Sequence, residues 1–182
     1  MSIPNYITSF FKISINWIHK KLESWKERKT LFQMLYDEIC RIYSKLEDIR
    51  SNLENLKPSS ALTIKIPFDE NDYIIYNNNL SKLGDIAGES RNKIIVCYSN
   101  IDKFSKGCKE HNELLDNLFK TFIDNGVSTK NMDKYDPMKM TAFVQVNKQY
   151  ILLQEHTESM KLMCKTTLLL VENTINELKN NY

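Results

Sequence analysis

Apolar residues recur at alternating steps of three and four through most of this chain, the spacing that keeps them on one face of an α-helix. From Phe32 the series runs Leu35, Ile39, Ile42, Leu46, Ile49, Leu53 and Leu56 without a miss. Traced backwards, the same stripe passes Trp25, Ile18 and Phe11, with Arg28, Lys21 and Ser14 as polar interruptions. The spacing predicts a first helix over 30–57 that continues back to about residue 6. Lys57-Pro58 ends it, because the residue before proline is pushed out of the helical region.

Residues 58–69 hold the chain's densest run of breakers and read as an extended connection. Asp69 is a suitable N-cap for a short helix carrying Tyr73, Tyr76, Leu80 and Leu83, with Gly84 as its C-cap glycine. A second long helix is predicted from Glu89 to Asp124, on the stripe Ile94, Cys97, Ile101, Phe104, Cys108, His111, Leu115, Leu118 and Phe122. Gly107 inside it costs about 1 kcal/mol relative to alanine. Asp136-Pro137 opens a third, cap followed by proline. Its stripe is Phe143, Val146, Tyr150, Leu153, Thr157, Met160 and Cys164, slipping by one residue to Leu168, Val171, Ile175 and Leu178.

Three long amphipathic helices and one short one predict an all-α fold: an antiparallel bundle over 30–182, with the short helix capping one end or packing as a fourth member. Composition agrees. Gly and Pro number 4 each in 182 residues, too few for the turns that sheet folds need. The four cysteines, Cys40, Cys97, Cys108 and Cys164, form no CxxC pair and read as reduced thiols of a cytoplasmic protein.

The net charge of +2 lacks the basic excess of a dedicated nucleic-acid domain. It is unevenly spread. Residues 1–29 carry six basic against two acidic side chains, a local +4 that leaves −2 for the remainder. On a helix, Ile7, Phe10, Phe11, Trp17, Ile18, Leu22 and Trp25 share one face of this segment. Lys12, Asn16, His19, Lys20 and Glu23 take the other, and Lys21 interrupts the stripe. The segment is too polar for a secretory signal or a membrane span. Residues 1–29 therefore read as an amphipathic extension whose apolar face, with Lys20 and Lys21 beside it, is the candidate interaction surface. Its occupant is a protein, the bundle itself or an anionic membrane surface, and homo-oligomerisation stays open.

Candidate chemistry is sparse. His111 and Cys108 stand one turn apart, but a zinc site needs about four ligands and no second spaced pair accompanies them. A buried neutral histidine with a hydrogen-bond partner is the expectation for His111. Glu-x-x-His pairs, phosphate loops and nucleophile elbows are missing from the sequence. The expectation is a non-enzymatic protein without cofactor or metal, acting by protein–protein interaction. The alternative is a small phage, plasmid or pathogen effector that masks a host protein. A metal-dependent enzyme comes third.

Two segments carry a resemblance: LFQMLYDEI at 31–39, and residues 66–101 with Phe68, Tyr73, Leu80, Leu83 and Tyr98. Together they resemble a set of uncharacterised bacterial helical proteins, in which a short aromatic helix and a G-x-L-x-x-L turn precede a long helix. Members of that set commonly carry an N-terminal membrane helix. The resemblance thus implies a bacterial protein near the inner membrane surface, though here the N-terminus is only amphipathic.

Overall fold

The computed structural model describes residues 5–57, 60–86, 88–124 and 137–180, and among them all side chains but those of 5–16, 18, 85, 137–140 and 180. The fold is all-α. Four α-helices follow one another: α1 (Asn5–Glu54), α2 (Ile74–Asn78), α3 (Gly88–Asp124) and α4 (Pro137–Asn180). Two 3₁₀ turns, Glu70–Tyr73 and Leu80–Asp85, flank α2. No strand occurs among the described residues.

The long helix α4 packs along both α1 and α3. Lys93 near the start of α3 bonds Glu177 near the end of α4 at 2.8 Å, so those two run antiparallel. On the other side, the Cys164 thiol donates to the Leu46 carbonyl, while Tyr43, earlier in α1, lies beside Glu172. The pair α1/α4 is therefore antiparallel too, and α1 and α3 point the same way.

Two parallel helices need a crossover between them, and residues 60–86 supply it. This connection climbs back along α3, matching Ile66 with Asn112, Tyr73 with Asp102 and Tyr76 with Tyr98. The short helix is thus a fourth packed member of the bundle rather than an end cap. The backbone of the connection is satisfied by side chains: Asn112 both accepts from Ile66 N–H and donates to its carbonyl, and Thr157 accepts from Leu62 N–H. Buried backbone polar groups demand such partners.

Several expectations change in detail. Asp69 makes a reciprocal capping box, but on a 3₁₀ turn rather than an α-helix. Asn79, not Gly84, ends α2. Gly84 lies within the second 3₁₀ turn, outside the left-handed region that a C-cap glycine adopts. Leu80 is exposed while Leu83 is buried, so the predicted apolar face of the short helix does not extend to Leu80. In α4, Phe143 is exposed and Ala142 is buried in its place. Stepping back four residues from Val146 keeps closer to the 3.6 period than stepping back three at that point. The Asp136 cap lies outside the described residues.

Gly107 has a packing reason for being there. A Cβ at this position would meet Met160 Sδ at 2.8 Å and Met163 Cε at 3.0 Å. The helix tolerates the propensity loss because a bare α-carbon lets α3 and α4 approach closely.

Candidate interaction surface

The core of α1 begins at Leu31. From there Leu35, Ile39, Ile42, Leu46, Ile49 and Leu53 are all buried. Before it, the same unbroken helix is bare: of residues 17 and 19–30, only Ser24 is even half-buried. Lys20 and Lys21 are exposed, and so are Trp17, Leu22 and Trp25 at 61%, 51% and 58%. Ile7, Phe10, Phe11 and Ile18 belong to the same helix, but their side chains lie outside those described.

The direction of this face follows from helix geometry. Five turns take 18 residues, so positions 18 apart lie on one meridian. Trp17 shares its meridian with Leu35, Leu22 with Cys40, and Trp25 with Tyr43. Leu35 is fully buried, and Cys40 and Tyr43 are half-buried at the margin of the core. The exposed apolar face of the extension is therefore the outward continuation of the face by which α1 holds the bundle. Each tryptophan carries an ammonium over its ring, Lys21 at 4.6 Å from the Trp17 centroid and Lys29 at 5.6 Å from that of Trp25.

What fixes α1, and with it the direction of the extension, is a buried carboxylate that periodicity does not flag. Glu38 is 2% exposed. It accepts from Ile75 N–H at 2.6 Å, Tyr76 N–H at 3.1 Å and the Tyr98 hydroxyl at 2.7 Å. One side chain thus ties α1 to the crossover and to α3. The Tyr76 and Tyr98 rings stack 3.9 Å apart. Burial, reinforced by the neighbouring Glu38, pushes the Tyr98 hydroxyl far above its ordinary range. A second tie lies one to two turns on, where Lys45 pairs with Asp72 at 2.6 Å and Arg41 donates to the Asp72 carbonyl. In the sequence Glu38 stands three residues after Leu35, at the margin of the apolar stripe, where a solvated carboxylate is the ordinary reading.

The histidines do other work. His111 is fully buried, and its Nε2 lies 3.2 Å from the Ile64 carbonyl. It helps seat the crossover, and burial lowers its pKa from the usual imidazole value. Its ring stands 6.0 Å from that of His156. Among the described residues no three His, Cys, Asp or Glu side chains are grouped so as to hold a metal ion. His19 is exposed on the extension, as the polar face requires.

Comparison with family models, with curated proteins and with solved structures finds no match to this chain.

Proposed function

We infer that the chain is a non-enzymatic helical bundle which acts by docking a helical segment of a protein partner along the exposed apolar face of α1. The observation that carries this reading is the shared meridian of Trp17 and Leu35. A face built to hold helices inside the bundle continues, uncovered by any described residue, for several turns beyond it.

Magnitudes bear on how much of that face is used. An aromatic side chain buries about 150–250 Å², and at about 25 cal/mol per Å² the exposed parts of Trp17 and Trp25 offer roughly 6 kcal/mol together. Association costs about 4–15 kcal/mol. The two rings leave little surplus over that cost, so a docked helix gains from running along the extension and engaging Leu22 as well. The masking of a host protein by a phage, plasmid or pathogen effector would use the same surface.

A second reading places this face on the headgroup layer of an anionic membrane, and the pairing of Lys21 with Trp17 and of Lys29 with Trp25 favours it. No helix among the described residues is long and apolar enough to cross a membrane; in this second reading the contact is peripheral, at the inner membrane surface.

The test captures partners from the native source with the whole chain and with residues 30–182, and marks the occupant of the seam with a photo-crosslinker at position 17 or 25 of the whole chain. Docking predicts one crosslinked protein, recovered by the whole chain only. Identical recoveries by both versions would remove the reading.

A further inference from the structure

The charges beside the exposed seam say what kind of helix it receives, an argument that rests on the docking reading above. At 100° per residue, Trp17, Leu22 and Trp25 span a sector of roughly 140° around α1. Lys21, Arg28 and Lys29 fall inside that sector. Glu23 and Glu27 lie roughly 80–100° outside its edges, on the opposite side of the helix. All are exposed. Every charged residue within the seam over the described stretch is therefore basic.

This pattern discriminates between occupants. A second copy answers it poorly, because two extensions laid together in either direction set Lys and Arg against Lys and Arg, and like charges across a helical interface repel. A flat anionic bilayer answers the charge but not the shape. The seam opens to the side on which the rest of the bundle packs, since Trp17 continues the Leu35 meridian and Trp25 that of Tyr43. A plane brought up on that side meets the body of the bundle before it reaches the rings. A single helix, about 10 Å across, fits the ledge beside the bundle and continues its packing.

We propose that the occupant is an acidic amphipathic helix of a partner protein, its apolar stripe on Trp17, Leu22 and Trp25 and its carboxylates opposite Lys21, Arg28 and Lys29. Charge pairs across a helical interface set partner choice more than affinity.

The experiment titrates the whole chain with two synthetic peptides of about four heptads, alike in their Ile/Leu core and flanked by Glu in one and Lys in the other. The readout is the tryptophan emission, which comes from Trp17 and Trp25 alone because the chain has 2 tryptophans. The Glu peptide is expected to bind at least about tenfold tighter than the Lys peptide, to blue-shift the emission and to lose its advantage in high salt. The triple variant Lys21→Glu, Arg28→Glu, Lys29→Glu should reverse the preference. Equal binding of the two peptides, or a preference indifferent to the triple variant, overturns the proposal. So does self-association of the chain abolished by Trp17→Glu, which would name a second copy as occupant. Co-sedimentation with phosphatidylserine vesicles, without discrimination between the peptides, would name lipid instead. If neither peptide binds while the crosslinked native protein is still recovered, the acidic helix falls and the docking reading stands.

Discussion

Trp17 and Leu35 stand on one meridian of one helix, five turns apart, yet the first is 61% exposed and the second fully buried. Equal position on the helix with opposite burial makes a direct stability comparison available. Leu35→Ala should cost about 2–5 kcal/mol, the loss for a buried leucine with a residual cavity. Trp17→Ala and Trp25→Ala should each stay within about 0.5 kcal/mol, the range of surface changes. Urea unfolding of the three variants checks this. A loss above about 2 kcal/mol at Trp17 would mean that the extension folds onto the bundle in solution.

Glu38 gives the second prediction. Removing it leaves two backbone N–H groups and the Tyr98 hydroxyl without their acceptor in a buried setting, and each orphan costs about 1–3 kcal/mol. Glu38→Ala should therefore destabilise by at least about 3 kcal/mol. Glu38→Gln keeps one acceptor oxygen and should fall between. Tyr98→Phe removes a single donor and should cost less than Glu38→Ala. Chemical denaturation of the three gives the order, and a Glu38→Ala loss near zero would show that the network contributes nothing.

The long helices were legible because their cores need only a repeated spacing: the predicted stripes of α1 and α3 are buried or half-buried from Phe32 to Leu56 and from Ile94 to Phe122. Long-range ties were not legible, because the partners are far apart in sequence. Nothing near Glu38 indicates that its acceptors face Ile75, Tyr76 and Tyr98, and nothing near Ile64 indicates His111. The 3₁₀ turns around α2 escaped for a related reason. In the first of them Asp72 accepts from the Asp69 N–H and pairs with Lys45 of α1 at once, a tie with no trace in the local pattern. The exposed extension lay between these cases. Its amphipathic face was readable, but whether the bundle covers it depends on where the other helices lie.

Thiol chemistry offers a third check. Burial pushes the Cys97 thiol up to about 11 and that of Cys164 up to about 12, and raises Cys108 as well. Thiolate is the reactive form, so these three should be silent to a thiol reagent near pH 8 until the protein unfolds. Cys40, half-buried at the edge of α1, should react first. The expected result is one labelled cysteine per folded chain and four in denaturant. Prompt labelling of Cys108 or Cys164 in the native protein would contradict the packing described for α3 and α4.

The pH dependence of stability isolates His111. Burial lowers its pKa in the folded state, while the unfolded chain keeps an imidazole near about 6.5. Between those two values the unfolded state binds more protons than the folded one, so stability rises with pH there. The contribution of a neutral His111 is complete above the unfolded value. It declines as pH falls below it, and the decline stops once the folded-state value has also been passed. His111→Gln removes the titration and leaves a side chain able to donate to the Ile64 carbonyl. Wild type and variant should differ by a constant amount above about pH 7, and the gap should narrow as the solution is acidified. Unfolding free energies measured from pH 8 down to pH 5 give the result. A gap that widened on acidification would mean that His111 is charged in the fold, and its place beneath the Ile64 carbonyl would need another account.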